Sequence, residues 1–135
     1  MGLSKSDQAE LVEYWAKEAE EALEVAGHLI EKRDYSYALF FGHLAIEKIL
    51  KALHVAKLRN HAVPGHNLLR LAKAAGLELD KEKSDLLVTI TAFNIEARYP
   101  DTRRSFRKKC TPEYSKSEMQ VIKELFLWLK SQLLS

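Results

Sequence analysis

The apolar residues Leu11, Val12, Trp15, Ala19, Ala22, Leu23, Ala26, Leu29 and Ile30 recur at the i, i+3, i+4 spacing of one buried helical stripe. Glu10, Glu13, Glu20, Glu21 and Glu24 fill the intervening positions, so the pattern predicts an amphipathic first helix capped by Ser4 or Ser6. The rhythm breaks at Arg33-Asp34. A second helix is predicted from Tyr35 or Ser36 through Val55, with apolar residues around most of its circumference. A helix with so little wet face belongs at the centre of a bundle.

Pro64 and Gly65 mark the following segment as a loop. A short helix is predicted from about Asn67 to Ala75, with Gly76 placed to stop it. Asp80 caps a further helix whose inner face is Leu86, Leu87, Ile90, Phe93 and Ala97. Pro100 disfavours helical geometry at Tyr99, so this helix is expected to end near Arg98. The basic stretch through Cys110 has no clear period and is expected to be a loop or short turn. A last helix starts at Pro112 or at the capping box Ser115-x-x-Glu118, with Ile122, Leu125, Phe126, Leu129 and Leu133 as its core positions. No stretch alternates with period two. The predicted fold is all-α: an up-and-down helical bundle of four main helices plus one short helix, in a single domain over residues 1–135.

Composition narrows the class. Hydrophobic residues make up 47% of the 135 and charged residues 30%, with five Gly and three Pro, which excludes a disordered or linker-rich chain. The single cysteine, Cys110, excludes an internal disulfide or a Cys-rich zinc site and fits a reducing compartment. No apolar run reaches the roughly 20 residues of a membrane span, and the start lacks an apolar secretory segment. Met1-Gly2 with Ser6 has the spacing of a myristoylation signal, but the pattern is short and reads as an ordinary start. A cytoplasmic protein without a membrane partner is expected.

The net charge of +2 hides a polarity: residues 1–33 sum to −4 and residues 97–116 to +5. The second segment carries Arg98, Arg103, Arg104, Arg107, Lys108, Lys109 and Lys116. Such a local positive field predicts an anionic partner. Guanidinium groups grip phosphates bidentately, and Tyr99 or Phe106 beside them offers a stacking surface for a base. The alternative is a cation at a helix C-terminus, followed by a solvated basic loop.

The central helix carries a polar stripe of His43, Glu47, Lys51 and His54, at steps that share one face. It reads either as the floor of a cleft or as a narrow wet strip held by a Glu47–Lys51 pair. His61 and His66 lie in the loop, where only the tertiary fold decides whether they join it. His43 and Glu47 could share an ion, but His43 to His54 spans too much helix to meet at one, so no metal is expected. There is no glycine-rich phosphate loop, and Cys110 lacks a placed histidine, so no cofactor and no nucleophilic site are expected.

Three stretches together resemble the HEPN domain family. Tyr37-Ala38 through Phe41, with Ala45-Ile46-Glu47-Lys48-Ile49-Leu50-Lys51-Ala52-Leu53, is similar to that family's second helix. Gly65-His66-Asn67-Leu68 with Leu71 resembles its His-x-Leu entry into a short third helix. Ala97-Arg98-Tyr99-Pro100-Asp101 resembles an element of one branch. The resemblance implies a helical bundle, a homodimer, and a role as substrate-binding subunit beside a minimal nucleotidyltransferase. Relatives that are metal-independent RNases carry an Arg-x(4–6)-His motif near the start of a late helix. Here no histidine follows His66, and the literal Arg59-x6-His66 match lies in the loop before the short helix. That departure removes the expected acid–base group, so the RNase activity is not carried over.

Two functions follow. In the first, a dimeric module binds nucleotide or RNA phosphates, with Lys51, Arg98, Tyr99, Asp101, Arg103, Arg104 and Arg107 on one concave surface and His43, Glu47, His54 and His66 as a polar stripe. In the second, a metal-independent endoribonuclease of a toxin–antitoxin type system recruits His43 or His66 as a non-standard base. Trp15, Trp128, Phe40 and Phe41 present more apolar surface than a thin bundle hides, which predicts the homodimer independently of the resemblance.

Overall fold

The computed structural model describes residues 2–95 and 99–133. Among them there are helices and no strands: α1 (Lys5–Glu31), α2 (Tyr35–Leu58), α3 (Leu68–Ala74), α4 (Lys81–Thr91), α5 (Pro100–Lys109) and α6 (Pro112–Gln132). Helix α2 touches each of the other five. Its side chains explain the position, since Ala38, Leu39, Ala45, Ile46, Leu50, Ala52, Leu53 and Val55 are all fully buried.

Helices α1 and α2 form an antiparallel hairpin. Gln8 lies by Val55, Trp15 by Lys51 and Glu18 by Lys48, so residue numbers rise on one helix as they fall on the other. Ala19, Ala22 and Ala26 are the buried residues of α1, and their small side chains let the two backbones approach. At the corner, the Asp34 amide donates to the Leu29 carbonyl at 2.9 Å and the Arg33 amide to Ile30 at 3.1 Å. This helix ending puts Arg33 at φ 64°, a left-handed conformation usually left to glycine. At the far end, the Gln8 side-chain amide donates to the last carbonyls of α2, Val55 and Ala56. Leu3 and Arg59 exchange hydrogen bonds there, tying the N-terminus down.

Helix α6 packs on α2 at Gly42, where an added Cβ would lie 2.8 Å from Ile122 Cδ1. Helix α3 is capped by Asn67 and ends at Gly76 with φ 77°, as the sequence suggested. Helix α6 begins at Pro112 under a Thr111 cap, which decides between the two expected starts. Ser115 is instead a fully buried residue inside it.

The expected chain path needs correction at two places. Helix α4 stops at Thr91 rather than near Arg98. Thr91 Oγ1 donates back to the Leu87 carbonyl and accepts the Leu68 amide, anchoring the start of α3 at this point. Phe93 then leaves the helical path to pack on Phe106, with ring centroids 5.6 Å apart. Ala97, expected on the inner face of α4, lies outside the described residues. The basic stretch is no loop: it is helix α5, opened by Pro100 and held to the core through its one buried residue, Phe106. Phe40 is buried, and Trp15, Phe41 and Trp128 pack against the core, so a single chain covers most of the aromatic surface that suggested a dimer. No helix of the described residues is long and apolar enough to cross a membrane.

Candidate functional site

The polar stripe of α2 is neither a cleft floor nor a wet strip. His43 is fully buried, and Glu47 and His54 are nearly so. The loop before α3 brings His66 onto it. His66 Nδ1 lies 2.8 Å from Glu47 Oε1, and Lys51 Nζ lies 3.1 Å from Glu47 Oε2. A carboxylate only accepts, so His66 donates from Nδ1–H. Its side chain is 65% exposed.

His43 supports this arrangement from below. Its Nε2 lies 3.1 Å from the His66 carbonyl, which fixes Nε2 as the protonated nitrogen and pins the loop backbone. Burial holds His43 below the ordinary imidazole value, against smaller opposing effects from that hydrogen bond and the Glu47 charge. Its Nδ1 is therefore a bare, buried acceptor, with no partner among the described residues. Burial lowers His54 too, and its Nδ1 is likewise unpartnered. The Lys51 ammonium sits 5.1 Å from the centre of the Trp15 ring, so an anion and an aromatic face already occupy it. His61 lines a separate hollow with Asp7, Glu10 and Tyr14. No group of three metal-ligating side chains occurs among the described residues.

The basic residues form a second region. A helical turn of 100° per residue places Arg103, Arg104, Arg107 and Lys108 within one arc of α5, and all four are exposed. Arg104, Arg107 and Lys108 make no ion pair among the described residues. Tyr99 is 79% exposed at the N-cap. Asp101 sits in the first turn and accepts from the Thr102 amide, where the helix dipole favours an anion. Arg98 lies outside the described residues.

The expected single concave surface does not include Lys51. Arg107 lines a hollow with Arg33, Tyr35 and Tyr37 at the start of α2, whereas Lys51 lies about 24 Å further along that helix at 1.5 Å per residue. The sequence placed Arg33 and Ser36 only at a helix boundary and Tyr37 only in a motif, because a rhythm break marks a corner without saying what faces it.

Comparison with known proteins agrees with this architecture. The HEPN domain family matches residues 12–132, so the chain belongs to that family. The crystal structure of TT1696 from Thermus thermophilus superposes with a TM-score of 0.75, covering 90% of this chain and 97% of that one at 21% identity. At that identity the likeness concerns the fold. Comparison with curated proteins finds no match.

Proposed function

We propose that this HEPN domain binds RNA or nucleotide phosphates through α5, as the homodimeric, substrate-binding companion of a minimal nucleotidyltransferase. The observation that carries the reading is the α5 face: Arg103, Arg104, Arg107 and Lys108 share one arc of an exposed helix that Phe106 anchors. Cationic side chains spaced along a helix suit successive phosphates of a single strand, and Tyr99 at the helix entrance suits a stacked base. The partner and the homodimer rest on the resemblance of the Ala97–Asp101 element and the second helix to one branch of the family.

The test is titration of a labelled RNA oligonucleotide bearing a 5′-hydroxyl at two salt concentrations. Four neutralised phosphates give a slope of log affinity against log salt near −3, at about −0.7 per contact for single strands. Arg103→Ala with Arg104→Ala reduces the slope by about 1.4 on the same basis. No binding at low salt, or binding unmoved by the double variant, removes the reading. Sedimentation at micromolar concentration, alone and with a nucleotidyltransferase from the same genome, tests the assembly.

A second reading, the metal-independent endoribonuclease of a toxin–antitoxin type system, is favoured by the Glu47–His66 contact. A buried carboxylate that orients an exposed imidazole can prepare it to take a proton from a ribose 2′-hydroxyl. Incubation with RNA in EDTA decides: cleavage lost in His66→Ala establishes this reading, and intact RNA leaves the binding module.

A further inference from the structure

The corner between α1 and α2 holds an open hollow of about 320 Å³, lined also by Arg107 and Cys110 at the end of α5. That volume lies at the lower end of small-ligand sites, roughly 300–1,000 Å³. Two arginines line it from different elements: Arg33 from the corner and Arg107 from α5. Neither forms an ion pair among the described residues. Between them lies the start of α2, a helix of 24 residues whose N-cap, Asp34, makes no side-chain capping bond. The first amide of this helix with a backbone acceptor is that of Ala38, which leaves Tyr35, Ser36 and Tyr37 as donors without one among the described residues.

A second, independent feature points the same way. Ser36 lines the hollow, is only 9% exposed, and has no hydrogen-bond partner for its hydroxyl among the described residues. An unpartnered hydroxyl on a nine-tenths buried serine, free amides and two arginines without ion pairs line one hollow, a set of donors without an acceptor. Tyr37, 48% exposed, stands on the wall as a flat aromatic face.

We propose that this hollow binds the terminal phosphate of a nucleotide, with the phosphomonoester between Arg33, Arg107 and Ser36 and the nucleoside against Tyr37. The Asp34 carboxylate repels phosphate and accepts from hydroxyl groups, so it turns the ribose toward itself. The inference rests on the reading of the chain as a phosphate-binding module and gives that module a site for a strand end or a free mononucleotide. It shares Arg107 with the α5 face, which meets internal phosphates, and differs from it in Arg33, Ser36 and Tyr37, so Arg33→Gly and Tyr37→Ala separate the two.

The test is titration of the full chain with AMP, inorganic phosphate, and RNA oligonucleotides ending in a 5′-phosphate or a 5′-hydroxyl. Arg33→Gly is the informative variant, because glycine relieves the left-handed conformation while deleting the guanidinium. A variant that melts no lower than the wild type yet binds AMP or the phosphorylated RNA about tenfold more weakly supports the site. Arg107→Gln weakens binding similarly, Tyr37→Ala weakens AMP but not inorganic phosphate, and exposed Lys81→Gln changes neither. Tighter binding of phosphorylated RNA without AMP binding assigns the site to strand ends, and AMP binding without that preference assigns it to free nucleotides. Equal binding of both RNAs with no AMP binding overturns the inference while leaving the α5 reading intact. Binding of none of the probes removes both.

Discussion

His66 and Glu47, 19 positions apart in the chain, meet at 2.8 Å between Nδ1 and Oε1, and the same carboxylate holds Lys51 through its other oxygen. Glu47 is thus a buried anion with two cationic or donor partners, and its removal strands one of them. The Lys51 side chain is 13% exposed, so Glu47→Ala leaves an ammonium in a poorly hydrated place. The expected loss is about 3 kcal/mol, the usual cost of breaking a buried pair from one side. Replacing both residues, Glu47→Leu with Lys51→Met, recovers most of it, since two apolar groups carry no stranded charge. Urea melts of the single and double variants check this. Equal losses in both would mean that the pair itself stabilises the fold.

A pH dependence follows from the histidine beneath. The folded-state value of His43 lies below the ordinary 6.5, chiefly because burial disfavours its charged form. Above about pH 6.5 the ring is neutral in both folded and unfolded chains, and its contribution to stability is complete. As pH falls below that value the unfolded chain takes up a proton that the folded ring refuses. Stability then drops by up to about 1.4 kcal/mol per pH unit for each such histidine, until the folded value is reached. His54 acts in the same direction. Thermal melts between pH 5 and 8 should show the slope, and His43→Gln should reduce it to the His54 share while keeping a donor for the His66 carbonyl.

Helix α2 was legible because its apolar residues run round the whole helix, and only a central position tolerates that. The Glu47–Lys51 pair was legible for the same local reason, four residues being one turn. Helix α5 was not, because Arg103 to Lys109 contains a single apolar residue, Phe106, and one tooth defines no period. The early end of α4 depends on the Thr91–Leu68 bond and the Phe93–Phe106 contact, both made to distant segments. His66 likewise reaches Glu47 only through the path of a loop, which residue types do not encode.

Gly42 sets the α2–α6 spacing. Alanine there gains about 1 kcal/mol of helix propensity but directs its Cβ at Ile122 Cδ1, 2.8 Å away in a fully buried side chain. Overpacking of this kind costs roughly 1–3 kcal/mol, so Gly42→Ala should be destabilising on balance by about 1 kcal/mol. Adding Ile122→Val, which deletes the obstructing methyl group, should restore part of the loss. If the single variant melts higher than the wild type, the helices have room to separate and the contact does not limit their approach.

Phe106 connects the stability of the domain to its proposed binding face. It is the one buried residue of α5, 4% exposed and stacked obliquely on Phe93. Truncating a buried phenylalanine to alanine costs roughly 3–5 kcal/mol where the structure stays in place. A ten-residue helix rich in like charges is unstable alone, so α5 in Phe106→Ala can instead leave the core, which caps the loss. The expected melting change is therefore smaller than that of a central core residue such as Phe126→Ala. RNA affinity should nevertheless fall, because the arc of Arg103, Arg104, Arg107 and Lys108 exists only while the segment is helical, although no cation has been removed. Phe106→Leu, which keeps an apolar anchor, should retain both the helix and most of the affinity. Unchanged RNA binding by Phe106→Ala, measured alongside loss of helical ellipticity, would show that charge alone suffices and that the helical arrangement of α5 adds nothing.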